Sequence, residues 1–297
     1  MLFRGPLRIM DRMQTQAGSG VEMETSVSEH YAALTERMEK FGGDLLACHF
    51  GLWGPDTTTD QEGLLRANHT LVQGCDLGAG QRVLDAGCGV GGTAITLAET
   101  HGVHVTGLTI CEPHVAVAAQ HAEQRGVGHL VEFRHGDFMD LPFPDASFDA
   151  VLNHESFCYA EDKLAYLRGV YRVLKRGGRW QALEGLLSGA PMTEAQEAFH
   201  ATARRGWRMP PLEPWRDVLA TLAEAGFEGI WEQDLSAEAA RSTGRIRNGW
   251  LLLTLMNPRA GGLNQASREF MEATVGYDQG LQAGVFTYRF LSGARPA

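Results

Sequence analysis

The sequence predicts an α/β fold built on a doubly wound, mostly parallel sheet of seven strands. Apolar segments of strand length alternate with helices between residues 82 and 186, and a glycine-rich turn follows the first of these strands. Of the 297 residues, 44% are hydrophobic and 21% are charged, which is typical of a globular protein with a real core. A chain of this length suits one large domain with insertions.

The alternating region contains five predicted strands and three predicted helices. The strands are 82–87, 104–110, 131–137, 148–155 and 178–186, and the helices are 91–102, 112–127 and 163–175. Because helices separate most of the consecutive strands, we expect the strands to run parallel, with helices on both faces of the sheet.

Beyond residue 188 this pattern changes. The segment 191–215 is predicted to be a helix with Arg, Trp and Pro residues at its end, and a further helix is predicted over 215–227. Segments 228–236 and 286–294 complete the sheet, with a helix between them that starts at residue 267. The sequence therefore predicts a helical insertion between the fifth and sixth strands, where it can serve as a lid.

Two helices are expected before the sheet. Tyr31, Leu34 and Met38 share one face of the first, and capping residues start the second at about 57–60. The predicted organisation is an N-terminal extension over 1–24 and one domain over 25–297. The parts of that domain are a helical cap (about 25–76), a core (about 77–188), the lid insertion (about 189–215) and the rest of the sheet (216–297).

Composition also excludes several classes of function. A net charge of −10 argues against nucleic acid as a main partner. The five scattered cysteines predict reduced thiols and a cytoplasmic location. No apolar run approaches the ~18 residues of a membrane span, and the extension lacks the apolar core of a signal peptide. The N-terminal extension has a few apolar residues through which the protein could self-associate, so homo-oligomerisation stays open.

The glycine-rich turn joins a buried strand to a helix. Gly87, Gly89 and Gly91 let the backbone turn tightly and approach a ligand, and the helix N-terminus that follows would face that ligand. Such a turn alone could also bind a dinucleotide or bind nothing. Asp85 comes before the glycines, however, where a carboxylate suits a cationic amino group. Asp137 and Phe138 follow the third strand and suit the edge and face of an adenine ring.

Over roughly residues 75–190 these motifs resemble the class I S-adenosylmethionine-dependent methyltransferases, which implies a Rossmann-like sheet and S-adenosylmethionine as cofactor. The resemblance places the cofactor at Asp85, Gly87, Cys88, Gly89, Gly91, Leu108, Thr109, Asp137, Phe138 and Asn153. Many members carry an acid at the end of the second strand, where this chain has Thr109. That departure resembles the sterol, tocopherol and cyclopropane-type branch, and the resemblance leaves the ribose contacts to Leu108 and Thr109. A helix cap is the structural alternative for Asp85.

Two further segments resemble the sterol and prenyl C-methyltransferase branch. "HFGLWG" at 49–54 is similar to an aromatic segment that lies near the cofactor in that branch. Glu155 and Tyr159 match the Glu-x-x-x-Tyr pattern of bacterial prenyl diphosphate C-methyltransferases, whose glutamate takes the proton. We therefore expect Glu155 to be the base, His154 an alternative base or orienting group, and Tyr159 part of the pocket wall. Glu184 is a second candidate carboxyl, while a capping or surface role is the alternative for Glu155.

An alkene that accepts a methyl group becomes a carbocation, which aromatic faces can stabilise by about 0.5 to 2 kcal/mol each. The candidate substrate-binding residues are Tyr31, Phe50, Trp53, Phe199, Trp207 and Trp215, although core packing would also explain them. Arg204, Arg205 and Arg208 could hold a diphosphate with the help of Mg²⁺, or form a solvated helix face. No metal-ligand motif is present in the sequence.

The leading hypothesis is a C-methyltransferase for a small hydrophobic isoprenoid, either a prenyl diphosphate or a prenylated natural product. The alternative is an O- or N-methyltransferase of a small secondary metabolite, in which His154 deprotonates a hydroxyl group. A third interpretation is a protein that binds S-adenosylmethionine without catalysis. The polar groups expected after the fourth and fifth strands argue against it.

Overall fold

The computed structural model describes residues 26–35, 45–256 and 263–297, so the predicted extension over 1–24 lies outside the described residues. A seven-stranded sheet forms the centre of the fold. Its strands are β1 (Arg82–Ala86), β2 (His104–Thr109), β3 (Val131–His135), β4 (Phe148–His154), β5 (Leu174–Leu187), β6 (Glu228–Asp234) and β7 (Phe286–Ala294). They are ordered β3-β2-β1-β4-β5-β7-β6, and only β7 runs antiparallel to its neighbours. This arrangement confirms the predicted fold class.

Helices cover both faces of the sheet. They are α1 (Val27–Ala32), α2 (Asp60–Leu71), α3 (Gly92–His101), α4 (Glu112–Gln124), α5 (Lys163–Val173), α6 (Glu194–Trp207), α7 (Trp215–Glu224), α8 (Ser236–Met256) and α9 (Gln265–Gln282). A short 3₁₀ helix, Phe157–Tyr159, follows β4. Helices α6 and α7 lie between β5 and β6, at the position of the predicted insertion. Helix α8 was not predicted from the sequence.

The central strands β1 and β4 bring the candidate site together. Both are buried on both faces, as expected for the middle of a parallel sheet. Asp85 at the end of β1 pairs with Leu152 of β4, and His154 at the end of β4 pairs with Leu183 of β5. The residues that follow these three strands therefore meet at the carboxyl edge of the sheet, where ligands bind in doubly wound folds.

Helix α8 is the longest helix that the structure describes, and its C-terminal end carries exposed apolar side chains. Leu255 and Met256 are 74% and 78% exposed. Even so, no helix within the described ranges combines the length and hydrophobicity needed to cross a membrane.

Candidate active site

A cavity of about 1640 Å³ opens at the carboxyl edge of the sheet. We call it the large cavity. The glycine-rich turn, the end of β2 and the start of α3 form one side of it, and α1 and α6 form the other. Of the predicted cofactor-binding residues, Asp85, Gly87, Cys88, Gly89, Thr109, Asp137 and Phe138 line this cavity.

Each glycine of the turn is required for a different structural reason. Gly87, Gly89 and Gly91 all adopt positive φ angles, of +92°, +53° and +87°. A Cβ atom on Gly87 would collide with Ser156, and one on Gly91 would lie 2.7 Å from Phe133. At Gly89 a Cβ would meet nothing within 4 Å, because this residue faces open space in the cavity wall. Gly89 is therefore the point where a ligand can approach the backbone.

Asp85 is buried, at 1% exposure, yet neither carboxylate oxygen has a hydrogen-bond partner among the described residues. The Ala94 N–H group is close enough to lower the pKa of Asp85, but it does not form a hydrogen bond of normal geometry with the carboxylate. Burial raises the pKa of Asp85 to about 7. A buried carboxyl without a partner among the described residues can accept hydrogen bonds from a ligand, and the ammonium group of S-adenosylmethionine is a suitable donor.

This pKa predicts that cofactor affinity depends on pH. A cation bound at Asp85 favours the ionised carboxylate, so below about pH 7 binding must first release a proton. We expect the affinity for S-adenosylhomocysteine, which keeps the ammonium group, to fall up to about tenfold per pH unit below 7 and to level off above it. Calorimetric titration of the parent and of Asp85→Asn from pH 5.5 to 8.5 measures this. A slope that persists in Asp85→Asn would assign it to another group.

Next to the glycine-rich turn, the wall of the large cavity combines polar and apolar groups. Thr109 ends β2, and its hydroxyl accepts a hydrogen bond from the Cys111 N–H at 3.2 Å. The Asp137 carboxylate accepts one from the Met139 N–H at 2.8 Å, which fixes the turn that presents Phe138. The Phe138 ring in turn packs on Tyr166, with ring centroids 5.0 Å apart. These side chains form a surface suited to a ribose and an adenine ring.

Two predicted cofactor contacts are corrected by the structure. The Asn153 side chain is fully buried behind the turn, where it donates to Ala86 O and accepts from Tyr166 Oη and Trp180 Nε1. Its hydrogen bonds hold β1, β4 and β5 together and do not reach the cavity. Leu108 is also fully buried, and its carbonyl oxygen accepts hydrogen bonds from the N–H groups of the glycine-rich turn. Both residues shape the site without lining it.

Glu155 lies where the large cavity meets a smaller one. Its carboxylate oxygen Oε1 accepts two hydrogen bonds of 2.7 Å, from the Phe50 N–H and the Tyr288 hydroxyl. The other oxygen, Oε2, takes part in neither of these hydrogen bonds. The backbone of Glu155 has a φ of +51°, a left-handed conformation that is rare for a residue with a side chain. Burial raises the pKa of Glu155 to about 8, so this carboxyl is a stronger base than an exposed one.

The smaller cavity, of about 280 Å³, is an aromatic chamber. Its walls include Phe50, Trp207, Tyr277 and Tyr288, and Phe50 stacks on Tyr277 with ring centroids 5.4 Å apart. The chamber shares Tyr31, Cys48, His49, Glu155, Tyr159 and Met209 with the large cavity. The two cavities therefore form one continuous site with a polar and an apolar part.

A chain of hydroxyl groups links the N-terminal helix to the lid. Tyr31 Oη lies 2.6 Å from Tyr159 Oη, which donates to Trp207 O at the end of α6. The Ser28 hydroxyl of α1 also donates to Ile110 O at the end of β2. Helix α1 thus lies along the large cavity and contacts both the strand edge and the lid helix.

Glu184 is the second carboxyl in the chamber, and it is only 2% exposed. Both of its oxygens are held by backbone N–H groups, Oε2 by Cys158 at 3.0 Å and Oε1 by Gly185 at 3.1 Å. Burial raises the pKa of Glu184 to about 7, although these donors and the charge of Lys163 oppose the rise. Glu184 thus accepts hydrogen bonds on both of its oxygens, whereas the two hydrogen bonds to Glu155 share one oxygen.

His154 lies beside His49 at the rim of the large cavity. The two rings stack with centroids 3.6 Å apart, and the Nδ1 atom of His154 lies 3.0 Å from the Thr93 hydroxyl. Burial lowers the pKa of His49 to about 4 and the pKa of His154 well below its usual range. Both rings are therefore neutral at pH 7, and their Nε2 atoms have no partner among the described residues.

Three predicted substrate contacts are corrected, because these residues line neither of the two cavities. Trp53 packs beneath the guanidinium group of Arg241, 4.2 Å from the ring centroid. Trp215 lies in the same way under Arg289. Phe199 packs on α9, where a Cβ atom on Gly280 would lie 3.2 Å from the Cβ of Phe199. Tyr31, Phe50 and Trp207, the other predicted contacts, line the chamber.

Arg204, Arg205 and Arg208 of the lid line the outer part of the large cavity. Arg208 forms an ion pair with Glu269 at 2.7 Å, and acidic side chains also line this region. Among residues 26–35, 45–256 and 263–297, no three His, Cys, Asp or Glu side chains cluster as a metal site. The three arginines therefore line the large cavity together with acidic side chains.

Sequence reasoning missed several residues of the site. Tyr277 and Tyr288 come from α9 and β7, and Tyr288 donates the hydrogen bond to Glu155. His49 was named only as part of an aromatic segment. The "HFGLWG" segment carried the available signal for His49, whereas nothing near Tyr277 or Tyr288 along the chain indicates a site.

The segment that contains the glycine-rich turn matches a known protein family, and longer parts of the chain are similar to individual methyltransferases. A family model described as "Methyltransferase domain" matches residues 84–180. The 27-O-demethylrifamycin SV methyltransferase of Amycolatopsis mediterranei is 33% identical, over 71% of this chain and 76% of its own. The sterol 24-C-methyltransferase of Aspergillus fumigatus is 30% identical over 75% of this chain. The cycloartenol-C-24-methyltransferase of Arabidopsis thaliana is 35% identical over 38%. The chain spans only 59% and 34% of the length of these two sterol enzymes.

Two solved structures also superpose on most of this chain. The 4+2 cyclase SpnF superposes with a TM-score of 0.78 at 27% identity, over 91% of this chain and 96% of its own. The geranyl diphosphate C-methyltransferase of Streptomyces coelicolor gives a TM-score of 0.68 at 16% identity, over 90% of this chain and 98% of its own. At that identity the second likeness concerns the fold alone.

Proposed function

The chain belongs to the class I S-adenosylmethionine-dependent methyltransferases, and from this premise we propose that it methylates an alkene carbon of a prenyl or terpenoid acceptor. The acceptor is either a prenyl diphosphate or a prenylated natural product. One observation carries this proposal: Glu155, a carboxyl with a raised pKa, lies between the large cavity and an aromatic chamber. The sterol C-methyltransferases among its relatives support C-methylation.

The residues of the large cavity suit the cofactor. Asp85 would hold its ammonium group, Gly89 would let it approach the backbone, and Asp137 and Phe138 would contact its adenosine. When bound, S-adenosylmethionine supplies an electrophilic methyl group on a cationic sulfur. The aromatic chamber excludes water from the acceptor chain and stabilises positive charge on it. Glu155 then removes a proton through its other oxygen, Oε2, while Tyr288 and the Phe50 N–H hold the carboxyl in place.

The test is product analysis with a panel of acceptors. Geranyl diphosphate, farnesyl diphosphate and a prenylated indole are incubated with S-adenosylmethionine labelled with ¹³C in the methyl group, with and without Mg²⁺. A new C–CH₃ bond together with the loss of an alkene proton is the expected result. Dependence on Mg²⁺ would identify a diphosphate acceptor. An unmethylated, isomerised acceptor would instead indicate cyclisation, the activity named for SpnF.

A second candidate is O-methylation of a small secondary metabolite. It is favoured by the stacked pair of His49 and His154, whose neutral rings face the large cavity and could accept a proton from a hydroxyl group. A relative that this chain covers well, the 27-O-demethylrifamycin SV methyltransferase, is named for this type of reaction. An O–CH₃ product that is lost in His154→Gln but kept in Glu155→Gln would establish this alternative.

A further inference from the structure

The aromatic chamber contains two carboxyls, although removal of one proton requires only one base. Glu155 lies at its mouth and accepts two hydrogen bonds on a single oxygen, whereas Glu184 lies within it and has both oxygens held by backbone N–H groups. Two buried carboxyls are costly to keep, because each must be removed from water. Their different hydrogen bonding indicates two different roles.

Methylation of an alkene moves a positive charge through this site. The new C–C bond takes the electron pair of the alkene, the sulfur keeps the pair of the broken S–CH₃ bond, and the acceptor becomes a cation. A positive charge thus leaves the large cavity and appears in the aromatic chamber. A negative charge fixed in the chamber would stabilise the transition state more than the ground state, which is the condition for faster catalysis.

We propose that Glu184 is this fixed anion, and that Glu155 is the group that takes the proton. The inference rests on the proposed function, since it assumes an acceptor that becomes a cation. Glu184 is preorganised for the role, because Cys158 N and Gly185 N hold its carboxylate before the substrate arrives. The proton then passes from the carbon next to the cation to Glu155 Oε2, and the electrons of that C–H bond form the new alkene.

The surroundings of the two carboxyls support this division. Lys163 is buried, at 4% exposure, at the start of α5 close behind Glu184, and its charge favours the ionised form of that carboxyl. Its ammonium group also donates to Ala160 O at 3.1 Å and lies 3.7 Å from Glu213, so it is held in place. Among the described residues no cationic side chain lowers the pKa of Glu155, which burial raises to about 8. The two backbone donors and the nearby cation thus all favour the ionised form of Glu184.

The test separates the charge of Glu184 from its packing by using a pair of probes. One is a ten-carbon prenyl chain in which a protonated tertiary amine replaces the cationic carbon, and the other is its uncharged hydrocarbon analogue. Binding is measured by calorimetry in the presence of S-adenosylhomocysteine. We expect the parent to bind the amine at least about tenfold more tightly, Glu184→Gln to lose this preference, and Glu155→Gln to keep most of it. Glu184→Asp, which keeps the charge, should restore part of it.

Turnover provides an independent readout. With an accepted alkene, Glu184→Gln should lower kcat by about a hundredfold without changing the product, as for the loss of one preorganised electrostatic group. Equal amine preference in parent and Glu184→Gln would overturn the inference, even if methylation of alkenes is established. Absence of any C-methylated product from the parent would overturn the proposed function instead. Thermal unfolding and affinity for S-adenosylhomocysteine verify that each variant is folded.

Discussion

Replacing Glu155 by Gln is expected to lower kcat for alkene methylation by about a thousandfold, within the range that loss of a general base produces. The amide keeps the size of the side chain and can accept the hydrogen bonds of Tyr288 and the Phe50 N–H, so binding should change little. For the parent, kcat/KM should rise with pH and level off above about 8, because the free enzyme must ionise a carboxyl whose pKa is raised to about 8.

Steady-state product formation measures the loss of kcat in Glu155→Gln, and calorimetry with S-adenosylhomocysteine measures cofactor binding separately. Glu224→Gln is the matched control, since Glu224 lies on the exposed outer side of α7 and has no contact with either cavity. An active Glu155→Gln variant that gives the same product would show that another group takes the proton, with His154 the next candidate. A loss of cofactor affinity equal to the loss of kcat would assign Glu155 a structural role.

Replacing Gly87 by Ala is expected to weaken cofactor binding by about a hundredfold or more. At a φ of +92° the new Cβ would be strained, and it would collide with Ser156, whose Oγ would lie only 2.8 Å away. Ser156 cannot move freely, because its hydroxyl donates to Ala86 O at 2.6 Å and accepts from Asn153. The glycine-rich turn must therefore shift, and with it the backbone that faces the cofactor.

Gly80→Ala is the matched control for this variant. Gly80 has a similar φ of +87°, but a Cβ there would meet nothing within 4 Å. The Gly80→Ala variant should therefore suffer only from backbone strain, which lowers the free energy of unfolding by about 1 kcal/mol, and its cofactor affinity should be normal. Thermal unfolding and calorimetry of both variants measure the difference. Similar affinity losses in the two would mean that strain alone, and not the collision, disturbs the site.

The cofactor half of the site could be predicted from the sequence because its residues are close along the chain. Asp85 lies at the end of β1, directly before Gly87 and Gly89, and Thr109 and Asp137 follow in order at the end of β2 and just after β3. Such local patterns need no knowledge of tertiary packing. Asn153 was assigned wrongly because its position at the end of a strand does not reveal that other side chains already use its hydrogen-bonding groups.

The aromatic chamber could be predicted only in part, because its walls depend on long-range packing. The hydrogen bond from Tyr288 to Glu155 joins residues 133 positions apart, and no pattern near Tyr288 indicates it. Trp53 and Trp215 were counted as contacts for their residue type, yet both pack under arginines instead. Helix α8 was missed because glycines interrupt it and its last apolar residues follow one another without a helical period.

The left-handed backbone of Glu155 has a consequence for the protein's evolution. Gly, and to a lesser degree Asn, adopts this conformation more readily than Glu, so either residue would relieve about 1 kcal/mol of strain at this position. Laboratory selection for heat resistance alone should therefore enrich Gly or Asn here and discard the carboxyl. Retention of Glu under that selection would require a concurrent demand for turnover, because stability and activity make opposite demands on this residue.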